Sequence, residues 1–300
     1  MPLAGETDRL IIGRTQIPPA VSSRKRIVAI TNQKGGVGKT TTAINLAAAL
    51  AAADRTVLLV DGDPQGNATS GLGVSVEPNV PSLYEVLIDG VPAAEAIRRG
   101  VHLAKLDVLP ATPDLAGAEV ELVNEERRSE RLAICLAPER EKYDYVLIDC
   151  PPSLGLLTIN MLAAADSIII PLQCEYFALE GLTQLLRTVE MVRSGLKPDL
   201  EVGGVLLTMY DSRLNLSRQV AEDAREHFGS LVFQTVIPRN IRLAEAPSYG
   251  KPILLYDIVS VGAASYMAVA KEVMTRMETF DSGSIASTDD PTLITEEAAT

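Results

Sequence analysis

The sequence predicts an α/β fold: a mainly parallel, twisted sheet with helices on both faces. Three observations carry this expectation. Short runs rich in Val, Ile and Leu alternate with longer helical patterns along the chain, the rhythm of strand–helix–strand crossovers. Within those runs apolar residues are consecutive rather than alternating, as in strands buried on both faces. Core packing also falls to aliphatic side chains, because hydrophobic residues make up 47% of the chain and aromatics only 4%.

In chain order, "RIVAITN" (26–32) is a β-branched strand. A glycine loop follows, then a helix that runs through Ala53. "TVLLVD" (56–61) is the next buried strand. Helical patterns cover 82–98 and 115–137, with a short strand at "LDVLP" (106–110) between them. "YDYVLID" (143–149), "DSIIIPL" (166–172), "EVGGVLLTM" (201–209) and "LVFQTVIP" (231–238) all have strand composition. Helices are expected at 156–165, 178–194, 214–228 and 258–279. Residues 1–25 are polar, contain prolines and end in a basic run, the composition of a flexible arm. Residues 280–300 are expected to be a disordered acidic tail, since "DSGSIASTDDPTLITEEAAT" (281–300) carries acids and no base. One domain, 26–279, lies between.

Composition narrows the function classes. A formal net charge of −12 argues against a nucleic-acid coat over the whole surface, yet leaves room for a local basic patch. Cys135, Cys150 and Cys174 have no metal-ligand spacing and suit a reducing cytoplasm as small buried residues. His102 and His227 stand alone and read as structural or surface residues. The first 26 residues offer no apolar core of a signal peptide. Nor does any apolar run reach the roughly 20 residues that span a bilayer. A soluble, cytoplasmic protein is expected.

The chemistry concentrates in "TNQKGGVGKTT" (31–41). The phosphate-loop pattern G-x-x-x-x-G-K-[ST] requires a glycine where this chain has Gln33. The remainder fits. Gly35, Gly36 and Gly38 let backbone N–H groups, with that of Val37, turn inward as an anion nest at a helix N-terminus. Lys39 is placed to reach the β- and γ-phosphates, and Thr40 to put its hydroxyl on Mg²⁺. A glycine-rich turn without a ligand is the bland alternative.

A magnesium-nucleotide site also needs carboxylates at the carboxyl ends of neighbouring strands. Asp61 and Asp63 stand where the second strand ends, and Asp149 where a later one ends. Asp149 has the position of a Walker-B acid, Asp61 lies on the metal side, and Asp63 is a candidate to orient the attacking water. Singly, each Asp has a competing role as a turn or cap residue.

"KGGVGKTT", "LLVDGDPQGNATSGLG", "YDYVLIDCPPSLG" and "IPRNIRLAEAPSYGKPI" resemble the ParA/MinD family of deviant Walker-A ATPases, on its chromosome-partitioning ParA (Soj-like) branch. The likeness covers roughly residues 26–278. It implies a P-loop NTPase fold, ATP and Mg²⁺ as cofactors, and a homodimer when ATP is bound. It also implies that Lys34 is a signature lysine reaching the phosphates held by the partner subunit. A cation supplied across that interface makes dimerisation depend on the triphosphate. Its competitor is a Lys34 that only adds charge within its own subunit. The resemblance further puts Thr41 beside the site and Met209, Pro238, Arg239 and Asn240 near the adenine.

The branches of that family differ in what the ATPase drives. A membrane-bound relative should end in a basic amphipathic helix, whereas this chain ends in "TDDPTLITEEAAT". An iron–sulfur reductase needs bridging cysteines, and Cys150 has no suitably placed companion. A plasmid-type repressor needs an N-terminal helix-turn-helix, which about 25 residues cannot hold. What remains is ATP-dependent binding of nonspecific double-stranded DNA in chromosome or plasmid segregation, on the nucleoid, with a ParB-like partner stimulating hydrolysis. Arg218 and Arg242 are the leading DNA contacts, with Arg213 and Lys251 behind them, in a stretch (211–251) close to neutral. An ordinary salt-bridged surface is the alternative for each. At the level of function, the competitor is an orphan ParA-type ATPase that positions a non-chromosomal cargo over the nucleoid.

Overall fold

Six strands form one parallel sheet in this computed structural model, which describes residues 27–175 and 178–282. They are β1 (Ile27–Ile30), β2 (Val57–Asp61), β3 (Leu106–Leu109), β4 (Tyr145–Asp149), β5 (Ser167–Gln173) and β6 (Glu201–Thr208). Their order across the sheet is β3-β2-β4-β1-β5-β6. The chain steps outward from β1 to β3, returns to insert β4 beside β1, and then continues on the other side. Every residue of β1, β2 and β4 is buried, which explains their unbroken apolar runs.

Successive strand residues face opposite layers. Ile27 and Ala29 point into one core with Leu58, Val60, Val146, Ile148, Ile168 and Ile170. That layer is covered by α3 (Leu83–Leu87), α5 (Leu115–Glu121), α6 (Arg131–Leu136), α7 (Leu156–Ala164), α8 (Ala178–Gly195) and α9 (Asn215–Phe228). Val28, Ile30, Leu59, Leu147 and Ile169 point into the other core. There α1 (Lys39–Ala52), α11 (Ile253–Tyr256) and α12 (Val261–Ser282) lie against the sheet. Helix α1 is alanine-rich and buried almost all round, which lets it sit directly beneath α12. The short helices α2 (Asn67–Gly71), α4 (Ala93–Ala96) and α10 (Ile241–Glu245) complete the fold.

The structure corrects three expectations. The stretch 231–238 is not a strand of the sheet. It runs beside β6, with Phe233 N donating to Val205 O (2.9 Å) and Ile237 N to Leu207 O (2.8 Å). Between those bonds, however, the amides of Gln234 and Thr235 donate to the Glu272 carboxylate (2.8 and 3.1 Å), and Pro238 has no N–H to give. The helical patterns 82–98 and 115–137 are each broken in two. Gly90 at φ 72° and Pro92 separate α3 from α4, and a 3₁₀ turn at Leu122–Asn124 follows α5. The expected arm (1–25) and most of the expected tail (283–300) lie outside the described residues; α12 itself continues through Ser282.

Candidate functional site

The site begins where β1 hands over to α1. Thr31 N donates to Ile169 O (3.1 Å), and the Asn32 side-chain amide donates to Pro171 O (2.7 Å). Asn32 Oδ1 in turn accepts from Lys34 N (3.0 Å), which bends the chain into the loop. Gly36 and Gly38 take φ of 74° and 88°, a left-handed backbone that favours glycine. Gly38 caps α1 without a side-chain hydrogen bond, so the first amides of a long helix have no side chain covering them. The loop is also pinned from behind, by Thr208 Oγ1 donating to Val37 O (2.8 Å). An exposed Gly35 and Gly36 and an open helix N-terminus form an anion nest.

The two lysines part company here. Lys39 is 7% exposed and its Nζ donates to Lys34 O (3.1 Å), folding the side chain under the loop. Burial holds its ammonium below the ordinary lysine range, offset in part by the nearby charges of Asp149 and Asp63. Lys34 turns outward instead. Its Nζ lies 3.0 Å from Glu175 Oε2, with the Lys34 side chain 38% exposed. One lysine lies beneath the loop; the other stands at the surface.

Asp61 and Asp149 are register partners on adjacent strands and both are fully buried. Asp61 is well provided for. Its Oδ2 accepts from the amide and hydroxyl of Thr69 (2.7 and 2.6 Å), and its Oδ1 from Asp63 N (3.2 Å). Burial still pushes its carboxyl up to about 6. Asp149 has no hydrogen-bond partner on either oxygen. Burial, and next to it the neighbouring Asp61 charge, raise its carboxyl well above the usual range, with Thr40 and Lys39 acting in the opposite sense. Two orphaned buried oxygens beside a threonine hydroxyl are an arrangement that a small hard cation would complete.

Among the described residues no three His, Cys, Asp or Glu side chains converge as a closed metal cage. Mg²⁺ binds through one or two carboxylates, substrate phosphates and water, and the paired Asp61 and Asp149 beside Thr40 supply carboxylates of that kind. Thr40, Asp61 and Asp149 therefore fit the ion. Asp63, 7% exposed, is fixed on the same loop, with its Oδ1 accepting from Gln65 N (2.9 Å). Thr41 lies one residue further along α1, half-buried.

The opposite end of the loop gathers the remaining predicted nucleotide residues. Met209 leaves β6 with a φ of 50°. Tyr210 bridges to Pro238, and Arg239 N donates to Tyr210 O (3.1 Å), so Met209 and Pro238–Asn240 lie side by side. Asn240 also caps α10 by accepting from Arg242 N (2.8 Å).

Comparison with known proteins agrees with this geometry. A protein-family profile described as an AAA domain matches residues 25–202. The chromosome partitioning protein ParA of Myxococcus xanthus is 59% identical over 84% of this chain and 88% of its own. The sporulation initiation inhibitor protein Soj of Bacillus subtilis is 56% identical over 83% of this chain and 98% of its own. The chain belongs to the ParA/Soj family. A Mycobacterium smegmatis protein described as cobyrinic acid a,c-diamide synthase was solved with ADP and magnesium and with an ATP analogue and magnesium. It superposes with a TM-score of 0.73 at 40% identity, covering 85% of this chain and 96% of that one. The partitioning relatives of the ParA/Soj family share more of the sequence, so that protein's stated activity is not carried over.

The basic residues expected of a ParA/Soj DNA surface are exposed but differently engaged. Arg213 is paired with Asp211 (2.7 Å), whose carboxyl it draws down to about 2. Arg242 is paired with Glu245 (3.0 Å) and Asp257 (3.5 Å). Arg218, on α9, bonds only the neutral side chain of Asn215. Lys251 follows the 246–250 turn and is exposed. Two site residues escaped the sequence reading. Thr69 holds Asp61 from eight residues away; it lies within the quoted "LLVDGDPQGNATSGLG" stretch, but nothing in that stretch singles it out. Gly62 lets β2 pass Asp149, since a Cβ there would stand 2.6 Å from Met161 Sδ and 2.8 Å from Asp149 O. In sequence Gly62 stands between two aspartates within the quoted "LLVDGDPQGNATSGLG" stretch.

Proposed function

We propose that this chain is a chromosome-partitioning ATPase whose ATP-bound sandwich dimer holds nonspecific double-stranded DNA. Hydrolysis, stimulated by a ParB-like partner, releases the DNA and returns the subunits to the monomer. Lys39 binds the β- and γ-phosphates, together with the backbone amides of Gly35, Gly36, Val37 and Gly38. Thr40, Asp61 and Asp149 would hold Mg²⁺, which would supply neutralisation of phosphate charge there. Asp63 orients the attacking water, and Thr41 lines the same pocket. Met209, Pro238, Arg239 and Asn240 border the base. Arg213, Arg218, Arg242 and Lys251 face the DNA, and the protein works on the nucleoid in the cytoplasm. No described helix is long and apolar enough to cross a membrane.

The observation that carries this reading is the outward course of Lys34 from a loop that already has Lys39 beneath it. A second lysine at the surface end of a phosphate loop serves a phosphate outside its own subunit. The test is ATP turnover by the full chain alone, with random-sequence DNA, and with DNA plus a ParB-like protein. Turnover should be low alone and rise most with both. Turnover indifferent to DNA and partner would remove the coupling, and absence of any turnover would remove the ATPase.

A further inference from the structure

The metal end of the site and the segment bearing Arg242 and Lys251 are joined by a direct contact between two stretches far apart in sequence. Thr69, which holds Asp61 Oδ2, is part of α2. Helix α2 abuts the 3₁₀ turn Ala246–Tyr249: a Cβ on Gly71 would stand 3.5 Å from Pro247 Cβ. Just beyond, two backbones touch. Gly73 and Gly250 have φ of 65° and 62°, and a Cβ on Gly250 would stand 2.8 Å from Gly73 Cα.

His102 closes this contact. Its Nε2 lies 2.9 Å from Leu72 O and 2.7 Å from Gly250 O. Carbonyl oxygens only accept, so Nε2 carries the proton and donates to both. One ring thus binds the residue after α2 to the residue after the turn. His102 itself sits at φ 61°, a left-handed backbone that costs a non-glycine residue energy and persists only where its surroundings hold it.

The segment has a second anchor. Asn45 on α1 accepts from Ile253 N through Oδ1 (2.7 Å) while its amide donates to Thr41 O (2.8 Å). The segment from Arg239 to Tyr256 is therefore hung between α1, which starts at the phosphate loop, and α2, which starts behind Asp63. A shift of α2 relative to α1 must be passed to it.

We propose that His102 is a positioning residue that ties α2 to the 246–250 turn, so that occupancy of the Asp61–Asp149 site sets the position of the segment carrying Arg242 and Lys251. The DNA consequence rests on the function proposed above; the mechanical link does not.

Hydrogen–deuterium exchange on the full chain, with and without Mg·ATP, tests the link directly. In the wild type, Mg·ATP should slow exchange in 67–73 and in 246–253 together. His102→Asn keeps a residue tolerant of the left-handed backbone but is too short to bind both carbonyls. It should leave ATP affinity and the response of 67–73 intact and sharply reduce that of 246–253. Gly73→Ala, which presses a Cβ to 3.1 Å from Gly250 O, should do the same and serves if His102→Asn does not fold. Couplings between sites typically change affinity by roughly 5- to 150-fold; in both variants the preference for DNA with ATP over ADP should collapse towards none. An unresponsive 246–253 in the wild type, or an equal response in the variants, overturns the proposal. Coupled exchange in a wild type that binds no DNA would retain the link and reject the DNA reading.

Discussion

Asp61 and Asp149 face each other across β2 and β4 as buried register partners, one accepting three hydrogen bonds and the other with Thr40 and Lys39 nearby but no hydrogen bond closed on either carboxylate oxygen. This asymmetry has a consequence for stability. A carboxyl raised to about 6 in the folded chain keeps its proton where the unfolded chain, titrating near 3.8, has lost it. The folded state then binds more protons, so stability falls as pH rises. Below the unfolded value the effect is absent; above about 6 its full cost is present. Without nucleotide, the melting temperature should therefore decline between about pH 4 and pH 6 on account of Asp61, and Asp149, raised in the same direction, adds to the decline. Asp149→Asn should flatten that decline, and Mg·ATP should stabilise the wild type but not the variant. Parallel thermal melts from pH 4 to pH 8 would expose the idea as wrong if the two profiles keep the same slope.

Lys39→Ala should weaken ATP binding at least tenfold. The lysine is buried beneath the loop and its removal leaves the phosphate charge without its charge-assisted bonds, each worth roughly 1.5–3 kcal/mol. Titration with a fluorescent ATP analogue measures this, and wild-type affinity in the variant would displace the phosphate site from this loop.

Much of this site was legible because phosphate loops and strand-end aspartates are local signals. Lys39, Thr40, Asp61 and Asp149 each follow from a few neighbouring residues. Gly62 was not legible as a packing requirement, because its role depends on β4 inserting between β1 and β2, a pairing set 88 residues apart in sequence; Thr69 lies close to Asp61 in sequence, but no local pattern says which hydroxyl turns back onto that carboxylate. The same limit explains 231–238. Its residues have strand composition, but Glu272 on α12 captures two of its amides, and no local pattern reveals a competitor 38 residues away. The ion pairs that occupy Arg213 and Arg242 were likewise hidden, although Glu245 lies one helical turn from Arg242. Asp257 reaches it only through the packing of α11.

Lys34→Ala and Asp63→Ala should separate steps that Lys39→Ala merges. Lys34 pairs only with a surface carboxylate, an interaction worth about 0–1 kcal/mol, so its loss should spare folding and nucleotide binding. If it acts on the partner's phosphate, the ATP dimer should be lost. Asp63→Ala should bind ATP and dimerise but hydrolyse slowly, since the water loses its orienting group. Sedimentation with ATP reads both variants; normal dimerisation without Lys34 contradicts its role across the interface.

Gly62→Ala offers a test of how closely the carboxylate strands must approach. The added methyl would stand 2.8 Å from the Asp149 carbonyl oxygen, a backbone atom with little freedom to yield. Overpacking of this kind costs about 1–3 kcal/mol, and here it also parts Asp61 from Asp149. Denaturant unfolding and Mg·ATP binding should both weaken. A variant of wild-type stability with intact Mg·ATP affinity would mean that the strands tolerate separation.

The proposed DNA surface yields the riskiest prediction, because it asks a chain of net charge −12 to bind a polyanion. The structure ranks the candidates. Arg242 shares its charge with Glu245 and Asp257, and Arg213 with Asp211, so a phosphate must compete for them. Arg218 bonds only a neutral amide. Arg218→Glu should therefore weaken ATP-dependent DNA binding more than Arg242→Glu or Arg213→Glu, for random sequences alike, because phosphate contacts carry no base information. Each lost phosphate contact should flatten the slope of log K against log salt by about 0.9. A dimer presents Arg218 twice, so its reversal should flatten the slope by about twice that amount. Affinities at several salt concentrations, with ATP and with ADP, measure this. Unchanged binding in the Arg218 variant would move the DNA surface off α9, and equal wild-type affinity in both nucleotides would uncouple DNA from the dimer.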